Sequence, residues 1–376
     1  MIYLDNAATT KPNENAIKQA EKYLFENFYN PSAMYKEGHE VQSELKTARL
    51  NLLSCVANES DFEVIFTSCG TESDNQAIFS FAKRGNVVTT EGEHSAVYAS
   101  FLELKNKGIA QPRFAPLLSD GRVDVEKLVQ LVDEKTSFVS VIHVNNETGA
   151  INDVNEIAKR VKKKNPRVVF HSDGVQAFGK IPFKLCKEID LYSVSAHKIG
   201  GLKGVGALIK RKSLTIPPYI FGGGQENGRR SGTENVFGIM QFVSAAKEKF
   251  LTLKEDFNRL TEYKELLIDR LDKSIYTVLS GENSTPYITS ISAVGLRGEI
   301  LLHILNDKGL IVGTGSACSS NSKNRFSRVI LACGVDEKTA DGVIRISFSS
   351  QTTKEETEKA LTLLNECGRE LKARMS

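Results

Sequence analysis

Apolar positions along the chain fall into short blocks separated by polar, glycine-containing turns, and the blocks alternate between two periods. Val64 to Thr67, Asn86 to Thr90, Phe138 to Val144, Val168 to Phe170 and Ile189 to Val194 are short runs of the kind that strands buried on both faces require. Between them, apolar residues recur at helical spacing: Ala77, Ile78, Phe81 and Ala82; Val125, Leu128, Val129 and Val132; Val154, Ile157, Ala158 and Val161. Asp124 and Asp153 stand where helix caps belong, Pro166 closes the third helix, and Thr71 with Asp74 three residues on marks the start of the first. This alternation predicts an α/β fold, a mostly parallel sheet with helices on both faces.

The texture changes further on. After Pro217 and Pro218 comes a glycine-rich polar loop, Phe221 to Asn235, too long for a simple core connection. A long helical stretch follows, Val236 to Asp272. Short β-like runs (Tyr276 to Leu279, Ile288 to Ala293, Leu310 to Val312, Val343 to Phe348) then mix with helices over Glu299 to Leu305 and Lys354 to Lys372. The change of texture predicts a large domain, 15–255, and a smaller α+β domain over 256–376, to which residues 1–14 are also assigned.

Composition narrows the function classes. At 376 residues the chain can bury a sizeable core, and a formal charge of +3 leaves no broad electrostatic footprint for nucleic acid. The basic run Lys159 to Lys164 reads as the wet face of a helix. The apolar stretch Phe138 to Val144 is far too short to span a bilayer, so no membrane association is expected and the location is read as cytoplasmic. Six cysteines (Cys55, Cys69, Cys186, Cys318, Cys333, Cys367) show no metal-binding spacing.

In a parallel sheet, polar groups following successive strands converge on one edge. Here these would be His94, Asn146, Asp173, Gln176, and Ser195 to Lys198. Lys198 is the candidate nucleophilic amine, since a lysine held away from water near other cations can carry an aldehyde cofactor; alone, Ser-x-His-Lys also fits a surface lysine. Gly70 and Thr71 follow a strand and open a helix, a plausible anion site, although the same residues suit a plain helix start. Cys318 lies among glycines and serines in Val312 to Phe326, a polar and accessible setting unlike the usual buried cysteine.

Several separate stretches together resemble one family, the cysteine desulfurases of the NifS/IscS type, pyridoxal-phosphate enzymes of the aspartate-aminotransferase fold. They are Tyr3-Leu-Asp-Asn-Ala-Ala-Thr-Thr10, Asn30-Pro-Ser, Thr67-Ser-Cys-Gly-Thr-Glu-Ser-Asp-Asn75, Glu93-His94, Asn145-Asn-Glu-Thr-Gly149, His171-Ser-Asp173 with Gln176, Ser195-Ala-His-Lys198, Arg229-Arg-Ser-Gly-Thr-Glu-Asn235, Gly315-Ser-Ala-Cys-Ser-Ser320 and Ile344-Arg-Ile-Ser347. The resemblance implies that Lys198 carries pyridoxal 5'-phosphate and moves the α-proton of L-cysteine, with Asp173 on the pyridine nitrogen, Gln176 on the phenolic oxygen, and His94 stacked on the ring as a catalytic proton shuttle. It assigns the phosphate to Gly70, Thr71, Ser195 and His197, with Thr233 supplied by the partner in a homodimer. Asn146 and Arg345 would take the substrate carboxylate. Cys318 would accept the sulfur as a persulfide and pass it to an acceptor protein, leaving alanine.

Three features depart from the family pattern. Gly174 replaces a common alanine, which implies looser packing near the ring. Asn321 to Arg328 lacks a common proline, and the chain stops soon after its last helix, leaving iron–sulfur assembly and transfer-RNA thiolation both open as destinations. Two rival readings share the fold: a selenocysteine lyase, and a non-catalytic docking or regulatory protein, in which the site residues would be expected to decay.

Overall fold

The computed structural model describes residues 1–314 and 325–375. Among these residues twelve strands occur: β1 (Ile2–Leu4), β2 (Phe62–Thr67), β3 (Asn86–Thr90), β4 (Gln111–Ala115), β5 (Thr136–Ser140), β6 (Val169–Asp173), β7 (Leu191–Ser195), β8 (Gly206–Arg211), β9 (Tyr276–Val278), β10 (Ile288–Ala293), β11 (Leu310–Val312) and β12 (Val343–Ser347). Seven of them form the central sheet in the order β2-β8-β7-β6-β5-β3-β4. Neighbours from β7 through β4 run parallel, while β8 lies antiparallel to both β2 and β7.

The near-continuous apolar runs explain the layering. Val64, Phe66, Val88, Val139, Phe170, Tyr192, Ala207 and Ile209 bury into one cluster with the helices Lys36–Ser54, Val154–Lys164 and Val236–Leu251. Their sequence neighbours Ile65, Val87, Phe138, Leu191 and Leu208 bury on the opposite face with the helices Gly70–Phe81 and Ser95–Asn106. Side chains alternate across a strand, so each run supplies both faces at once.

The second core is separate in composition. β12, β10 and β9 make an antiparallel sheet, and β1 pairs parallel with β11. Leu4 and Ala7 join Leu260, Ile288, Leu301, Leu310, Ile346 and Leu364 in one buried cluster. The residues after β1 therefore cross from this core to the central sheet, and Thr10 bonds the carbonyl of His197 through its amide and its hydroxyl, each at 2.9 Å. No helix among the described residues is long and apolar enough to cross a membrane.

Local differences from the sequence reading have physical causes. The expected helix Val236 to Asp272 is two helices, Val236–Leu251 and Leu253–Arg270, broken at Thr252. The helix Gly70–Phe81 has Cys69, not Thr71, at its N-cap position. Glu72 reaches back to the Ser68 amide, 2.7 Å away, whereas Asp74 turns inward and is buried beside His171. Cysteine is usually buried as a small hydrophobe, and Cys333 and Cys367 are; Cys55 and Cys186 are only half-buried.

Candidate active site

The parallel arrangement of β3, β5, β6 and β7 delivers their following residues to one edge. Asp173, the last residue of β6, is buried, and its Oδ1 accepts the Val175 amide at 2.9 Å. Burial raises the pKa of this carboxyl, while the charges of His94 and Lys198 and the Val175 amide act in the opposite sense. Burial outweighs them, so the carboxyl sits above its ordinary range and gains from a cation placed against it. His94, after β3, caps the helix Ser95–Asn106: its Nδ1 accepts the Ala96 amide at 3.2 Å. Burial lowers the pKa of the imidazole, and an accepting Nδ1 puts the proton of the neutral ring on Nε2.

Lys198 closes a short 3-10 turn after β7. Its Nζ donates to the carbonyls of Ala7 (2.6 Å) and Ala8 (2.8 Å), which brings the N-terminal segment over the amine. Gln176 joins the same knot, since its Nε2 donates to the Ala7 carbonyl at 2.8 Å. Its Oε1 accepts from Lys180 Nζ at 2.7 Å. Lys180 is buried, and burial together with Lys198, Lys249 and Arg345 holds its pKa well below the usual lysine value.

Gly70 and Thr71 open the helix Gly70–Phe81, whose first amides have no partner within the helix. A Cβ on Gly70 would stand 2.7 Å from Val175 Cγ2 and 3.5 Å from Ser195 Cβ, so glycine lets the helix start approach the end of β7. Ser195 Oγ is buried there with no hydrogen-bond partner among the described residues. His197 bonds Thr9 Oγ1 through Nδ1 at 3.2 Å, and burial lowers its pKa to about 4. It is therefore a neutral hydrogen-bonding group at physiological pH.

Asn146 and Arg345 come together from different cores. Arg345 Nη1 donates to the Asn146 carbonyl and Nη2 to Asp5 Oδ1, both at 2.8 Å. Asn146 Oδ1 and Arg345 Nε are buried without hydrogen-bond partners among the described residues, leaving polar valence on both groups. Thr233 is exposed on the loop before the helix Val236–Leu251. Cys318 lies outside the described residues.

Sequence reasoning gave no role to two contributors. Lys180 sits four residues after Gln176, a spacing that could have paired them. Glu93 is buried beside His94, accepting the Ile142 amide and the Thr90 hydroxyl, and burial lifts its pKa to about 8. Looser packing at Gly174 is not found: a Cβ there would lie 1.9 Å from Cζ of Tyr192, a buried residue whose hydroxyl bonds His143 Nδ1 at 2.8 Å. The tyrosine ring occupies the space an alanine methyl would need.

This fold, with an amine and a buried acid at the ends of neighbouring parallel strands, defines a protein of the class-V aminotransferase family, and the chain belongs to it, matching over residues 2–360. The more particular kinship is with the cysteine desulfurases. The chain is 37% identical over 372 residues to cysteine desulfurase IscS of Dictyoglomus turgidum, covering 96% of this chain and 93% of that one. Against cysteine desulfurase NifS of Azotobacter vinelandii it is 36% identical over 372 residues, covering 96% and 90%. A solved NifS-like protein superposes with a TM-score of 0.89 at 35% identity, over 97% of this chain and 98% of the other.

Proposed function

We propose that the protein is a cysteine desulfurase that uses pyridoxal 5'-phosphate on Lys198 to move sulfur from L-cysteine onto Cys318. The observation that carries this reading is the strand-end edge where Lys198, Asp173, His94 and the buried Ser195 hydroxyl, which has no hydrogen-bond partner among the described residues, meet a helix start. This donor set fits the cofactor: Ser195 Oγ with the first amides of the helix Gly70–Phe81 suits a phosphate, and a buried carboxylate suits a protonated pyridine nitrogen.

When bound, pyridoxal phosphate would supply an aldehyde reactive toward amines and an electron-withdrawing cationic ring. Asp173 would hold the proton at the ring nitrogen. Gly70, Thr71, Ser195 and His197 hold the phosphate, and Thr233 serves the second site of a homodimer. Gln176, fixed by Lys180, orients toward the phenolic oxygen, and His94 covers the ring face. Arg345 and Asn146 orient the substrate carboxylate, while the Lys198 amine takes and returns the α-proton. The Cys318 thiolate attacks the substrate sulfur: an S–S bond forms, the C–S bond breaks, its electron pair stays on carbon and is protonated there. Enzyme thiol and cysteine thus become enzyme persulfide and alanine, with no outside oxidant.

The acceptor is a sulfur-carrier or scaffold protein of iron–sulfur assembly or transfer-RNA thiolation, and the setting is the cytoplasm. The test is to incubate the purified protein with L-cysteine and a thiol reductant and measure alanine and sulfide, beside Cys318→Ala and L-selenocysteine. Equal alanine and sulfide, with sulfide lost in Cys318→Ala while the yellow cofactor stays bound, is the expected result. Activity on selenocysteine alone, or turnover without Cys318, would overturn it.

A further inference from the structure

Two consecutive residues in the Phe221 to Asn235 loop, Glu226 (φ 52°) and Asn227 (φ 57°), are the non-glycine positions among the described residues that take left-handed backbone. That conformation is disfavoured for side-chain-bearing residues and persists where surrounding contacts over-determine it. The contacts here are specific. Glu226 is buried; its Oε1 accepts from Arg49 Nη2 at 2.7 Å and its Oε2 from the Phe66 amide at 3.0 Å. Arg49 Nη1 also donates to the Val64 carbonyl at 3.2 Å. β2 is an edge strand, so the Arg49–Glu226 pair satisfies backbone groups on its open side in place of a further strand.

The same loop grips the chain again just past β2. Arg230 Nε donates to Glu72 Oε1 at 2.9 Å, and Glu72 Oε2 accepts the Ser68 amide at 2.7 Å. The Arg229 carbonyl accepts from the buried Gln76 at 2.9 Å. Glu226 therefore holds the residue before the Thr67 to Thr71 turn and Arg230 holds the residues at and after it. Between the two grips lie the amides of Gly70 and Thr71.

We propose that this loop is the rigid back wall of the phosphate cup, and that Glu226 and Arg230 are positioning residues setting the preference for pyridoxal phosphate over unphosphorylated pyridoxal. The inference rests on the reading above that Gly70, Thr71 and Ser195 receive the phosphate. A wall that fixes where the helix amides point acts on the phosphate and leaves ring and aldehyde contacts alone, so its loss is selective.

The test titrates apoprotein of the parent, Glu226→Gln and Arg230→Gln with pyridoxal phosphate and with pyridoxal, following absorbance and intrinsic tyrosine fluorescence, with thermal unfolding of each apoprotein as a check. Both variants are expected to lose about tenfold or more in pyridoxal phosphate affinity and to keep pyridoxal affinity within about twofold, as a lost aligned charge-assisted contact implies. Equal loss for both ligands, or no loss for either, overturns the proposal; Arg230 is nearer the surface, so Arg230→Gln decides if Glu226→Gln does not fold. Ser195→Ala is the control: if it leaves the ratio of the two affinities unchanged, the phosphate-site reading itself fails, whereas a shift there without one at Glu226 and Arg230 removes only the back-wall role.

Discussion

Gly174 and Tyr192 occupy the same space from adjacent strands: the glycine follows β6, the ring comes from β7, and a methyl at position 174 would be 1.9 Å from Cζ of the tyrosine. Tyr192 is in turn tied to His143, whose ring packs edge-on against Phe183 with centroids 4.7 Å apart. The glycine beside Asp173 is thus one half of a packing pair.

Gly174→Ala is expected to destabilise the protein, because overpacking a dense core costs about 1–3 kcal/mol or more. Tyr192→Leu, which removes the ring, is expected to be destabilising alone through the cavity it leaves. Combined with Gly174→Ala it should recover part of the loss. Urea unfolding of the four proteins in a double-mutant cycle measures the coupling; additive losses would contradict the pairing.

Arg345→Lys keeps the charge but loses the fork that spans the Asn146 carbonyl and Asp5. The KM for L-cysteine should rise about tenfold or more, in line with roughly 1.5–3 kcal/mol for a hydrogen bond to a charged group. The absorbance of the bound cofactor should stay nearly unchanged. Steady-state kinetics beside a spectrum of the resting enzyme checks both; a collapse of cofactor binding with no change in KM would contradict the assignment.

Lys180→Met preserves length but leaves Gln176 Oε1 without its donor at 2.7 Å. The amide can then rotate away from the ring oxygen. A shifted cofactor absorbance band and a loss of about tenfold in kcat/KM are expected, given about 1.5–3 kcal/mol for such a bond. An unchanged spectrum would leave Lys180 with no role beyond packing.

Stability should depend on pH through two opposed windows. Glu93 is raised from its ordinary 4.5 to about 8, so across that interval the folded protein keeps a proton the unfolded chain has released. Stability from this group therefore falls as pH rises. His143 and His171 are lowered from 6.5 to about 3 by burial; below 6.5 the unfolded chain binds protons the folded protein refuses, so stability falls as pH falls. Glu93→Gln removes the first window, and its urea midpoint should improve relative to the parent from pH 4.5 to pH 8. A difference that does not vary with pH would contradict a protonated Glu93.

Where local pattern and burial agree, the sequence was readable. Asp153 caps the helix Val154–Lys164, and the face predicted from spacing is the buried one. β4 (Gln111–Ala115) escaped because Pro112 and Arg113 break an apolar run, as an edge strand allows. At Gly70 two acids compete for the capping role, and only the packed sheet shows that Glu72 turns back while Asp74 goes inside. The strand-end residues were legible because parallel topology gathers them. The pairs Gly174–Tyr192 and Glu226–Arg49 join residues far apart in the chain or on neighbouring strands, and neither side chain announces its partner.

The central claim is that one amine, Lys198, carries the cofactor, and reduction with borohydride followed by peptide mass mapping tests it most directly. The purified yellow protein should lose its colour and carry a single phosphopyridoxyl group on the peptide containing Lys198, with Lys180 and Lys249 unmodified. A label on another lysine, or none after reduction, would contradict the account.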